Sequence, residues 1–246
     1  DYGVPGLQGW IDDGWVVVAT DYQGLGTPGM HQYTVNITNA RDGIYAAHAA
    51  RKLEIDAGTN VGCAGWSQGG GASAAIAELD GADYGDLTLI GTVCMSPGVS
   101  KIALEIPAGL TAALTGAKVA PDSHLVMLFA GIQAANPTKL QLSEAFSPLG
   151  VDIINTAWNT QPVHHLNDTI ARMFRLKGAV LNPTPPNFEA WKAAVVASSA
   201  AQRKPVAPVL VCMDTFDGGT VVPVAWQTGY VDAVKELGGS VETKEY

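Results

Sequence analysis

Basic residues are scarce in this chain: 14 Lys and Arg stand against 23 Asp and Glu, a formal net charge of -9. No Lys/Arg cluster occurs, which argues against a nucleic-acid partner. Charge of either sign is thin, at 15% of residues. No apolar run reaches the roughly 18 residues of a membrane-spanning helix. Cysteine is limited to Cys63, Cys94 and Cys212. Each lies inside an apolar run, and their spacing is not that of a metal site. An odd count on core segments indicates buried free thiols rather than a disulfide framework. No internal repeat and no low-complexity tract is visible.

What the chain has instead is 47% hydrophobic residues and 28 glycines over 246 positions. That supports a sizeable core inside a compact, loop-rich α/β protein. Continuous apolar runs predict buried strands at 15–20, 59–65, 87–95 and 208–213. The segment 240–245 alternates like a half-exposed edge strand. Helical spacing predicts helices over 39–55, 68–79 and 224–237, the last ended by Gly238-Gly239. Alternating strands and helices imply a mostly parallel, doubly wound sheet with helices on both faces. From about 98 to 204 the rhythm breaks into several short helices. The expected division is therefore a core of 1–97 and 205–246 with a helical cap at 98–204. Such an insertion would cover a site and exclude water.

Gly65-Trp66-Ser67-Gln68-Gly69 carries the sharpest chemical signal. It reads G-x-S-x-G, the serine nucleophile elbow, between a predicted strand and a small-residue helix. The pattern alone occurs by chance in glycine-rich chains; its strand–turn–helix setting makes catalysis the stronger reading. A tight turn there exposes the hydroxyl above the sheet and aims helix N–H groups at developing negative charge. A serine hydroxyl is a weak nucleophile and needs a base, usually histidine, oriented by a carboxylate. In this setting the chain order is Ser, then Asp or Glu, then His. Asp217, on the loop after 208–213, is the first candidate acid and Asp214 the reserve; capping the next helix is the plainer role for Asp217. All five histidines (His31, His48, His124, His164 and His165) precede Asp217, so the base expected after the acid is not in this sequence.

Taken together, Val17 to Gly29, Gly65 to Gly70, and Pro208 to Val211 with Asp217 and Val222-Pro223 resemble the secretory lipase family, which includes yeast acid lipases and actinobacterial esterases. The resemblance implies an α/β-hydrolase fold. It makes Ser67 the nucleophile, Asp217 the triad acid and the Gln68 backbone N–H an oxyanion donor. It implies a carboxylic-ester hydrolase, lipase or esterase, working through an acyl-serine intermediate, with no metal and no cofactor. The substrate would be a small-molecule ester or lipid, with transient lipid-surface contact through the cap. The location would be secreted or cell-envelope associated. An acyltransferase, a peptidase and a non-catalytic binding protein on the same fold are the alternatives. By the same resemblance 15–20 corresponds to the family's fourth strand. The third strand, which sits between the fourth and the fifth, would precede residue 1. An incomplete sheet is expected, in a piece of a longer protein, with 1–246 inactive for want of the triad histidine.

The remaining polar residues receive plainer readings. Asp21 ends a strand and is expected to bond loop amides. His31, on the loop near the expected site mouth, reads as an ordinary surface histidine, with substrate contact as the sharper alternative. His164, His165 and Asp168 look like a metal set but lack a further ligand, so packing within the cap is expected. Trp158, Phe174, Phe188 and Trp191 are expected to pack the cap. Asn36-Ile37-Thr38 and Asn167-Asp168-Thr169 fit the glycosylation pattern. Gly24 and Gly26 lack the companions of a phosphate cradle.

Overall fold

The structure is a computed structural model, and it describes residues 3–4, 6–53, 55–105, 119–158, 160–182, 185–215 and 221–246. Its strands are β1 (Asn60–Trp66), β2 (Thr88–Met95), β3 (Val209–Met213) and β4 (Val241–Glu245). All pair in parallel, in the order β1-β2-β3-β4. Before β1 come α1 (Leu7–Asp12) and α2 (Asn36–Ala50). Between β1 and β2 lie α3 (Gln68–Ile76) and α4 (Gly81–Tyr84). Between β2 and β3 the chain forms α5 (Ser100–Glu105), α6 (Ser123–Ala135), α7 (Leu142–Ala145), α8 (Pro148–Ala157), α9 (Val163–Lys177) and α10 (Phe188–Ser198). α11 (Val224–Glu236) joins β3 to β4. Among the described residues no helix is long and apolar enough to cross a membrane.

A monotone parallel order with right-handed crossovers places successive helices on one side of the sheet. The packing follows that rule. Ala74 and Ala75 of α3, Tyr230, Val231 and Val234 of α11, and Cys94, Val209 and Val211 of the strands form one buried cluster. β1 buries only one face, its residues alternating between exposed and half-buried. Its register against β2 slips between Val61 and Gly62, which leaves Ile90 as the extra residue of a bulge, 46% exposed.

The run 15–20 departs from expectation: it forms no strand. An apolar segment becomes a strand only when a neighbour takes its ladder hydrogen bonds. Among the described residues 15–20 has no such neighbour, and β1 pairs with β2 alone. Its side chains stay in solvent accordingly, Val16 44% and Val18 43% exposed.

The helices between β2 and β3 build a second cluster, which also takes in Val35 ahead of α2. Phe129 packs edge-on to Phe146 and Trp191, with Leu166, Ile170 and Trp158 around them. Phe174 packs against this cluster from its edge. Phe188 does not join it: at the first position of α10 it is 36% exposed. His164, His165 and Asp168 lie on the exposed side of α9, so they do not pack the helical region either. Buried polar residues tie the two clusters together. The Asn36 amide donates to the Gly98 C=O (3.0 Å) and accepts from the Ala200 N–H (3.2 Å) and the Ser199 hydroxyl (3.3 Å). Fully buried, the Asn36 amide is not accessible to a glycan.

Glu78 is the most committed of these polar residues. It is buried at the end of the α3 segment, and its carboxylate accepts the N–H groups of Ala201 (2.8 Å), Gln202 (2.9 Å) and Arg203 (3.1 Å). Burial raises its carboxyl above the ordinary range, and the three N–H bonds pull the other way. The turn leading into β3 is thereby pinned to the helix that follows β1. Glu78→Gln puts an amide NH2 among N–H donors, so it should cost about 1–3 kcal/mol. A lower urea midpoint at unchanged slope is the expected outcome; an unchanged midpoint would show that the site tolerates a neutral side chain.

Candidate active site

β1 ends at Trp66 and α3 begins at Gln68, so Ser67 alone makes the turn. Its backbone sits at φ 55° and ψ -111°, a conformation a side-chain-bearing residue rarely adopts. Holding it there costs on the order of 1–3 kcal/mol, which the surroundings must offset. They do so through the backbone. The Ser67 N–H donates to the Met95 C=O (2.9 Å), and the Ser67 C=O accepts from Gly98 (2.9 Å) and Gly71 (3.0 Å). The end of β2 and the loop beyond it thus clamp the turn from one side, and the first turn of α3 clamps it from the other. The Ser67 hydroxyl has no hydrogen-bond partner among the described residues, and no histidine reaches it.

Gly65 is required by the closeness of the turn. A Cβ placed on it would stand 2.1 Å from the Gly69 backbone oxygen, far inside contact distance. Cys63, two residues before it, is kept out of the chemistry by its environment: burial pushes its thiol up to about 12. A thiol that stays protonated is a poor nucleophile.

The loop 21–33 lies beside the elbow. Its amides are satisfied by Thr20, Asp42 and Thr27: the Tyr22 N–H donates to Thr20 Oγ1 (3.1 Å), the Gln23 N–H to Asp42 Oδ2 (3.0 Å) and the Gly24 N–H to Thr27 Oγ1 (2.8 Å). Asp21 was expected in this role and is exposed instead. Burial, with the Asp42 carboxylate nearby, pushes the Tyr22 phenol up to about 12, so it stays neutral. His31 is not a surface residue. It is 5% exposed and bonded at both ring nitrogens, 2.9 Å from the Gln23 C=O and 2.7 Å from Gln68 Nε2. Nothing in the local sequence marks it as buried, because one partner is set by the fold of the loop and the other, Gln68, comes from a tertiary contact.

Asp214 directly follows β3, its N–H donating to Gln227 Oε1 (3.0 Å). Asp217 lies outside the described residues. Ser67 and Asp214 therefore stand at the same, C-terminal, edge of the sheet, with β2 between their strands. Gln68 is placed as the sequence implied, at the first position of α3. A depression lined by Glu189, Lys192, Val196 and Gln202 contains no residue of this site. Among the described residues no group of His, Cys, Asp or Glu is arranged to hold a metal ion.

Residues 6–116 match the secretory lipase family model. The resemblance to the secretory lipases read from the motifs is thereby borne out. The matched secretory lipase segment includes the loop 21–33 and the elbow. Solved structures extend the likeness to most of the chain. The rice cell wall degrading esterase LipA of Xanthomonas oryzae superposes with a TM-score of 0.66 at 17% identity, over 92% of this chain and 62% of that one. A protein of Legionella pneumophila gives 0.68 at 19% identity, over 95% and 64%. Candida antarctica lipase A in its closed state gives 0.55 at 17% identity, over 87% and 50%. The chain thus spans less than two thirds of the length of each. No curated protein matches it. The fold is that of the α/β-hydrolases.

The elbow has a direct mechanical test. Gly65→Ala should destabilise by about 1–3 kcal/mol through overpacking against backbone that has nowhere to move. Thermal melts would show a lowered midpoint; an unchanged one would mean the turn is looser than its geometry implies.

Proposed function

We propose that this chain carries the nucleophile-bearing part of a serine carboxylic-ester hydrolase of the lipase/esterase type. The observation that carries the reading is Ser67 at φ 55° and ψ -111°, alone at the junction of β1 and α3. In the proposed reaction Ser67 Oγ bonds to the ester carbonyl carbon while a base takes its proton. The carbonyl oxygen becomes an oxyanion, and the Gln68 backbone N–H at the start of α3 donates to it. Collapse breaks the carbon–oxygen bond to the alcohol, which leaves with the proton. Water then hydrolyses the acyl-serine and regenerates the hydroxyl. Loss of one oxyanion donor of this kind costs about 100- to 1000-fold in rate.

Asp217 is the proposed triad acid, on the loop after β3. The strands bearing the nucleophile and that loop are separated by one strand, about 10 Å across the sheet. An imidazole hydrogen-bonded at both nitrogens fits such a gap. The helices of 98–204, with their own buried cluster, are proposed as the cap over the acyl-binding side of the site. The family's description as secretory lipases favours a secreted protein acting on small ester or lipid substrates.

Fluorophosphonate labelling of the longest natural form of the protein tests the nucleophile. Labelling should occur at Ser67 and vanish in Ser67→Ala; no labelling, or labelling that survives the substitution, would refute the reading and favour a binding protein on the hydrolase fold. The chain 1–246 itself, with no histidine after Asp217, should turn over esters at background rate. Turnover lost in Ser67→Ala would overturn that expectation.

A further inference from the structure

The side chain of Gln68 takes no part in the proposed reaction, yet it sits in a chain of hydrogen bonds whose direction is fixed at both ends. At one end His31 Nδ1 lies 2.9 Å from the Gln23 carbonyl oxygen. A carbonyl only accepts, so Nδ1 carries the proton. At the other end Asn39 Nδ2 donates to the Gln32 carbonyl oxygen (3.2 Å), which leaves Asn39 Oδ1 as an acceptor. Between them stands the Gln68 amide nitrogen, 2.7 Å from His31 Nε2 and 3.2 Å from Asn39 Oδ1. An NH2 group has two protons to give, one for each. The network is satisfied only when His31 is neutral with a bare Nε2. His31 and Asn39 are both buried, at 5% and 1% exposure, so water does not readily replace a lost partner.

We propose that His31, as the neutral Nδ1–H tautomer, is a positioning residue of the elbow. Through the Gln68 side chain it fixes the orientation of the Gln68 backbone N–H and locks the loop 21–33 onto the first turn of α3. This rests on the reading of that N–H as an oxyanion donor. The loop closes around His31 as the role requires. Gly24, at φ 86°, passes so close that a Cβ on it would stand 2.5 Å from the backbone nitrogen of His31. The Tyr22 ring stacks on the imidazole at 5.8 Å and Tyr33 meets it edge-on at 6.2 Å.

A second proton on His31 would undo the arrangement. Nε2–H would face the Gln68 NH2, donor against donor. Turning the Gln68 amide to offer its oxygen would set that oxygen against Asn39 Oδ1, and turning Asn39 in response would break its bond to Gln32. The groups that face His31 are the neutral phenols of Tyr22 and Tyr33. Asp42 holds the loop through the Gln23 N–H, and His124, hydrogen-bonded to Asp122, stands behind Tyr33. None of these supplies Nε2 with an acceptor.

Nitrogen-resolved NMR of the His31 ring in 1–246 at neutral pH tests the tautomer without any variant. The proton should reside on Nδ1, with Nε2 bare. Gln68→Glu, which offers an acceptor where the NH2 stood, should put a proton on Nε2. In the longest natural form His31→Phe should slow Ser67 labelling about five- to tenfold, the scale of one lost hydrogen bond. His31→Gln, which restores an acceptor near the Nε2 position, should recover part of that loss. A proton on Nε2 in the unaltered protein, or an unchanged labelling rate in His31→Phe, would overturn the proposal. If His31→Phe does not fold, the spectra of the unaltered protein and of Gln68→Glu decide it. Labelling that survives Ser67→Ala would instead refute the ester-hydrolase reading while leaving the tautomer result standing.

Discussion

The structure turns on the reversal of the chain at one residue, Ser67. A strand and a helix meet there with nothing between them but a serine in the left-handed half of backbone space. Such a turn persists only if its neighbours over-determine it. They are drawn from three places: the end of β2 through Met95, the loop after it through Gly98, and the first turn of α3 through Gly71. Because β2 pairs with β1 along its length, the elbow inherits the rigidity of the sheet. The glycine at 65 is the condition for the approach, since any larger residue would meet the Gly69 backbone.

Around that turn the protein arranges buried and half-buried polar groups. The Tyr22 phenol and the Cys63 thiol are held protonated by burial. Asn36, Asn39, Glu78 and His31 are buried with hydrogen-bond partners at hand. Each joins segments far apart in sequence. Asn36 links α2 to the loops after β2 and after α10, and Glu78 links α3 to the approach to β3. The helical cluster and the sheet cluster are built separately, so these bonds are among the contacts that set one against the other.

Much of the fold was legible in the sequence for a simple reason. Parallel strands read as continuous apolar runs, and 60–66, 88–95 and 209–213 do so within a residue or two of their ends. The elbow was legible because glycine spacing and strand–helix context report the same turn. The run 15–20 shows the limit of that logic: its composition is that of a buried strand, but pairing depends on a neighbour that composition does not reveal. His31 and Asn36 show another limit. A histidine on a glycine-rich loop and an asparagine in a glycosylation pattern both look like surface residues, and the folding of the loop and contacts with residues distant in sequence make them interior ones. His164 and His165 erred the other way, because their helix turns them outward. The placement of Asp217 lies outside the described residues, so the candidate site stands on Ser67 and Gln68.

The central claim is that Ser67 is a nucleophile that forms an ester with the acyl group of its substrate. Mass spectrometry of the longest natural form, quenched with acid during turnover of an activated ester, tests it most directly. The account predicts an acyl adduct confined to the peptide that contains Ser67. An adduct on any other residue, or turnover with no adduct on that peptide and no loss of rate in Ser67→Ala, would contradict it.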